Sequence, residues 1–283
     1  MISRYRSLVF VALVYLASAN FVVAIQEPSP SQEPAPSNEP NLTEDQKEDF
    51  LRNAKVVASH QLGKGITHPW RLTLSDGNLT HDAAFQPVDE HKQMMTFADG
   101  HTELNFVDSY RYDIAGYLVS KLIGLDTMFP VTVERKWNGQ TGALSWWIPW
   151  KWDEAMRAKE GVHPPDVDAY NKQMYRVRVF DQLVYDTDPN LTNVLITADW
   201  KIWRIDFSRA FRTYTDLQNP KDLVMCDREL LEKMRQLDGN TVLEKTKPYL
   251  TKSEVKGLMA RRDKIVNYFQ KMVAQKGEGA VLY

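Results

Sequence analysis

The balance of periodicity in this chain shifts close to residue 150, from mainly strand-like to mainly helical, and that shift limits the folds open to it. Before it, short β-branched and aromatic runs alternate with turn signals. After it, apolar residues recur at helical spacing. Strands are expected over residues 56–61 and 70–74, on either side of Gly63-Lys64-Gly65, and over 83–88 after the turn signal Asp76-Gly77. Residues 129–137 and 142–148 flank Asn138-Gly139, the dipeptide most typical of a tight hairpin. Thr43-Glu44-Asp45-Gln46 reads as a capping box opening a helix to about residue 57. A strong helix is expected over 104–124, with Tyr110, Ile114, Tyr117, Leu118 and Lys121 on one face. Beyond residue 150 helices are expected over 168–185, 227–237 and, from the capping box at Thr251, to about 274. A short β pair near 194–196 and 202–205 interrupts them. The order predicts an α+β protein with a β-rich N-lobe over 46–149 and a mainly helical C-lobe over 150–283.

The N-terminus belongs to neither lobe. Arg4 and Arg6 precede an almost wholly apolar run to Ala24, and Val22-Val23-Ala24 offers small side chains for cleavage, so residues 1–24 read as a secretory signal peptide. The alternative is an uncleaved N-terminal membrane anchor. Residues 25–45 hold five prolines between Pro28 and Pro40 and read as an extended linker. An exported protein, periplasmic or secreted, is the expectation, with membrane contact only if the first segment is retained.

Composition narrows the chemistry. A net charge of −2 argues against a nucleic-acid partner. The single Cys226, read as a buried thiol, excludes an internal disulfide and a cysteine-rich zinc site, and the six histidines form no HExxH pattern. Any metal would therefore be held by oxygen.

Residues 181–209 supply such oxygens. Asp188 and Asn193 stand five apart in a loop that follows a helix, and Asp206 lies at the end of an apolar strand. A hairpin turning at Ala198-Asp199 would return Asp206 to the level of Asn193. Phosphoryl transfer needs magnesium on hard oxygen ligands and a carboxylate to orient the attacking hydroxyl. Asn193 and Asp206 suit the first role and Asp188 the second.

In Asp188-x-x-x-x-Asn193 and Asp206-Phe207-Ser208 the chain resembles the protein-kinase-like superfamily, in particular bacterial phosphatidylinositol 3-/4-kinase-like proteins and secretory-pathway kinases. The resemblance implies a two-lobed fold binding ATP with Mg2+ or Mn2+, and transfer of the γ-phosphoryl group to a hydroxyl of a protein, lipid or glycan. It implies nucleotide contacts from Gly63, Lys64 and Gly65, although His68 stands where the third glycine would be. Gln86 occupies the position of the strand lysine, and Asp113 that of the helix glutamate which pairs with it. Asp113 is therefore expected to face the strand of Gln86, with Lys64 or Lys92 as substitute cation. Pro189 stands where atypical members usually carry Arg or His. Trp146, Trp147, Trp150 and Trp152 fall where the family has its hinge and adenine slot, and are read as aromatic core and lobe interface in preference to direct base stacking. Three alternatives stay open: a pseudokinase, a non-catalytic envelope module with a tryptophan-rich surface, and a glycosyltransferase-type D-x-D at Asp186-Thr187-Asp188.

Overall fold

The computed structural model describes residues 42–63, 69–97 and 99–283. The signal-peptide reading, most of the linker, and Lys64, Gly65 and His68 lie outside the described residues.

Helix α1 (Glu44–Asn53) opens with the expected box: Thr43 Oγ1 accepts from the Gln46 amide, and Gln46 Oε1 accepts from the Thr43 amide. It is shorter than expected. Arg135 donates to the carbonyls of Leu51 and Ala54 at 2.5 and 2.6 Å, and the β-branched pair Val56-Val57 then enters strand β1 (Lys55–Gln61). Strands β2 (Trp70–Ser75) and β3 (Thr80–Gln86) continue the sheet as a meander.

Next comes a departure from expectation. Residues 104–109 are not helical; they belong to strand β5 (Thr102–Ser109), which pairs with β4 (Asp89–Thr96) in a two-stranded ribbon. Helix α2 starts only at Tyr110 and runs to Leu122, with Ser109 as its cap. The ribbon escapes a periodicity reading because β4 buries no face.

Strands β6 (Thr132–Trp137) and β7 (Gln140–Trp146) form the expected hairpin. Asn138 and Gly139 both take positive φ, +48° and +79°, as a two-residue turn matching strand twist requires. The sheet order is β1-β2-β3-β7-β6. Its inner face, Leu72, Leu74, Phe85, Val133 and Leu144, packs with Phe50 and Leu51 of α1 and Tyr117 of α2. Trp146 is buried in this core, edge-on to Phe50.

That sheet ends at Trp146. Strand β8 (Trp150–Asp153) belongs to a second sheet, ordered β10-β9-β8, with β9 (Val194–Thr197) and β10 (Ile202–Arg204). Around it lie α3 (Glu154–Glu160), α4 (Val167–Val184), α5 (Arg228–Gln236), α6 (Gly239–Thr246) and α7 (Lys252–Lys276). Strand β8 and helices α3 and α6 are too short for their periodicity to stand out. The α7 capping box at Thr251 is present. The second core gathers Phe180 and Leu183 of α4 with Leu258, Ile265 and Phe269 of α7, and takes in Tyr112, Ala115 and Val119 from the other face of α2. Helix α2 is thus the wall shared by both cores. Cys226 is buried, and burial pushes its thiol up to about 12. Among the described residues no helix is long and apolar enough to cross a membrane.

Gly142 sets how closely β7 approaches the end of β3. A Cβ there would stand 2.5 Å from the Gln86 carbonyl oxygen and 2.9 Å from the Phe85 ring. Gly142→Ala is expected to cost about 1–3 kcal/mol, read as a melting temperature lower by several degrees. An unchanged melting temperature would show that the two strands separate freely.

Candidate functional site

The site is assembled around a buried cation that motif reading overlooked. Arg204, at the end of β10, has no solvent exposure. Its Nε donates to Asp181 Oδ1 at 3.2 Å and its Nη2 to Asp186, which is itself fully buried. Nη1 donates to the carbonyl of Ile205, with those of Asn193 and Asp206 at 3.5 Å. One guanidinium therefore ties the end of α4 to both loops that carry the acidic motif. Burial pushes the Asp186 carboxyl up and Arg204 pulls it back. Asp186 also accepts from the Asp188 amide at 2.9 Å. So employed, it is no open metal ligand, which removes the D-x-D reading.

Strand register brings the expected residues together. Arg204 stands opposite Val194, and the Ile205 amide donates to the Asn193 carbonyl at 3.0 Å, so Asp206 emerges beside Asn193. Asp206 takes the left-handed conformation, φ +61°, which costs a non-glycine residue about 1–2 kcal/mol. Its Oδ1 accepts from Ser208 Oγ at 2.9 Å. Asp188 reaches the same place through Arg209: the Arg209 carbonyl accepts from the Thr187 amide and hydroxyl, at 3.3 and 2.9 Å, and Arg209 Nη1 lies 3.6 Å from Asp188 Oδ2. The Asp188 side chain is 50% exposed and open to a substrate.

Asp113 departs from expectation. It does not turn to the strand of Gln86; its Oδ1 accepts from the Phe207 amide at 2.6 Å. The reason is proximity. Gly116, one turn on along α2, lets the Phe207 ring against the helix, where an added Cβ would meet it at 3.0 Å. The backbone of residue 207 is then the nearest donor. Burial first, and the charge of Asp206 second, push the Asp113 carboxyl well above the ordinary range. Lys92 is no substitute cation for it, since its ammonium pairs with Glu90 at 2.7 Å. Gln86 ends β3 opposite Ala143, half-buried. Gly63 follows β1 with open space around its Cα, at the edge of the undescribed residues. The structure adds Asp108, at the end of β5, whose buried Oδ1 has no hydrogen-bond partner among the described residues and whose carboxyl burial also pushes up. It was hidden inside the misread helix.

These donors fit a hard cation. No hydrogen bond engages the Asn193 side chain or Asp206 Oδ2 among the described residues, and both carry the oxygen that a hard cation prefers. The described residues hold no ready-made cage of three or more carboxylates, histidines or cysteines. A cation here would need further ligands from phosphate, as Mg2+ at nucleotide sites commonly has. The tryptophans split: Trp147 lies under Arg71, 4.4 Å from ring to guanidinium, and Trp152 against Trp200 at 5.2 Å. With Trp146 buried and Trp150 half-buried, they are mostly core and lobe edge rather than an open platform.

No protein-family model and no curated protein matches the sequence. Solved structures do. A hydra Fam20 structure with sugar aligns with a TM-score of 0.60 at 13% identity, covering 84% of this chain and 91% of that one. The Golgi casein kinase aligns with a TM-score of 0.58 at 11% identity, covering 84% and 78%, as does its structure with Mn/ADP bound. The fold is protein-kinase-like. The atypical secretory-pathway kinases that its motif resembles are also among the proteins that its fold resembles. The β-rich lobe and the mainly helical lobe are the two lobes of that fold.

The raised Asp113 carboxyl has a measurable consequence. Its folded value lies above its unfolded one, so its contribution to stability is full below the unfolded value and is lost as pH rises through the folded one. Asp113→Asn keeps the acceptor for Phe207 and removes the charge. In metal-free buffer the variant should match the native melting temperature near about pH 4 and exceed it increasingly towards about pH 8. A difference that stays flat with pH would mean that Asp113 ionises as freely in the fold as out of it.

Proposed function

We propose that this chain is an exported kinase-like phosphotransferase that binds ATP with Mg2+ or Mn2+ between its lobes. It transfers the γ-phosphoryl group to a hydroxyl of a protein, lipid or glycan. What carries the reading is the strand register that sets Asp206 beside Asn193, with Arg209 linking Asp188 to the same segment, in a protein-kinase-like fold. Asn193 and Asp206 would hold the divalent ion, which would supply positive charge to offset that of the phosphates. Asp188, half-exposed and steadied by Arg209, would accept the proton of the acceptor hydroxyl. Arg204 keeps all three in register. Mn/ADP in the Golgi casein kinase structure supports the cofactor choice, and the apolar run before Ala24 supports export. No nucleic-acid partner is proposed, and membrane contact only where the first segment is retained.

A second reading, a pseudokinase, is favoured by one observation. Gln86 stands in the lysine's place and Asp113 is committed to a backbone amide, so no strand–helix ion pair forms between them. Melting with and without ATP and Mn2+, together with radiolabelled transfer to envelope extracts, separates the readings. Saturation at about 100 times Kd should add about 2.7 kcal/mol, several degrees in melting temperature. A shift without transfer selects the pseudokinase, and no shift selects a non-catalytic module. Asp206→Asn is expected to abolish the shift. Asp188→Asn is expected to keep it and lower transfer about 100-fold or more. If the two substitutions behave alike, the roles assigned here are wrong.

A further inference from the structure

Among the contacts by which the ribbon β4–β5 reaches the site is a carboxylate, that of Glu103. Its Oε2 accepts from Arg209 Nη2 at 2.6 Å and its Oε1 from Arg212 Nη2 at 2.5 Å, so one carboxylate grips two guanidinium groups more than a hundred positions away. Arg209 is the residue that contacts Asp188 with its side chain and Thr187 with its carbonyl. Its guanidinium packs against the rings of Phe97, just past β4, and Phe106 of β5, at 4.8 and 5.4 Å from the ring centres. Arg212, with its side chain 7% exposed, also donates to the Val107 carbonyl at 3.0 Å, while its buried Nε and Nη1 find no partner among the described residues. Two cations, one shared anion and unsatisfied N–H groups make a seat built for an anion with several oxygens.

We propose that Glu103 is the positioning residue for Asp188, seated on Arg209 and Arg212 where a regulated site would require an added phosphate. This rests on the reading of Asp188 as the group that orients the acceptor. In many kinases the segment after the metal motif becomes ordered only when phosphorylation supplies an anion to arginines. Here the anion is a side chain of the N-terminal lobe, so the segment is ordered as soon as the ribbon folds, without modification. Glu103 touches no substrate. It acts through Arg209, by fixing the 187–188 backbone at one end and the Asp188 carboxylate at the other.

Glu103→Gln keeps the shape and removes the charge. It should raise amide hydrogen exchange at Thr187 and Asp188 and lower kcat by about 10- to 100-fold, leaving the KM for ATP unchanged. Glu103→Asp should recover part of the kcat. In Glu103→Ala the empty seat should take inorganic sulfate: sulfate should raise the melting temperature of this variant, not of the native protein, and should partly restore transfer. Unchanged exchange and kcat in Glu103→Gln would overturn the proposal. So would equal losses in kcat and in ATP affinity, the mark of a merely structural contact, or a sulfate response no larger in Glu103→Ala than in the native protein. If the native protein transfers no phosphate, the kinase reading fails by itself, while exchange and sulfate binding still decide whether Glu103 fixes this loop.

Discussion

A guanidinium without solvent holds the site of this protein together. Removing a charge from water costs several kcal/mol, and the cost is tolerable only when every donor finds a partner in good geometry. Arg204 meets that condition with two carboxylates and the carbonyls around Ile205. Its planar fork is what lets a single side chain serve helix α4, the 186–193 loop and the turn at Asp206 together. The left-handed backbone at Asp206 follows from this arrangement. Strain of that kind persists where the surroundings over-determine it, and here they do so from both sides of the residue.

The next residue carries the consequence across the molecule. The ring of Phe207 rests on Phe129 and Phe180, at 5.4 and 5.2 Å, and against Gly116 of α2. Its amide is held by Asp113 of the same helix. Because α2 faces both cores, a shift of that helix moves the metal-motif backbone directly. The acidic helix residue thus couples the lobes through a backbone amide where a lysine partner would otherwise do so. This leaves Asp108, Asp113 and Asp206 close together, and the charge of Asp206 adds to the burial that pushes the other two carboxyls up.

Much of this was legible in the sequence, and the parts that were share a physical reason. The hairpin at Asn138-Gly139, the two capping boxes and helix α4 depend on contacts within a few residues, and local chemistry specifies them. The nearness of Asn193 and Asp206 was readable because one short hairpin dictates it. Arg204 was not, since a lone arginine at a strand end looks the same whether it meets water or two buried aspartates. Nor was the direction of Asp113, which depends on Gly116 admitting the Phe207 ring and so on the packing of two distant segments.

The ribbon is the clearest case of what local reading misses. A strand is recognised by the face it buries, and β4 buries none; its residues alternate among charged, amide and thioether side chains. The partner strand β5 puts Phe106 and Val107 at positions that also satisfy a helical spacing running on into α2, so the pattern merges with the real helix. What holds the ribbon against the C-terminal lobe is mainly ionic: Glu103 to Arg209 and Arg212, with the Val107 carbonyl to Arg212. Contacts of that type leave no periodic trace, because each needs one residue of the right charge and no repeat. An element attached by charge can reach an active site while staying invisible to hydrophobic pattern, and in this protein the element so hidden is the one that steadies the loop of Asp188.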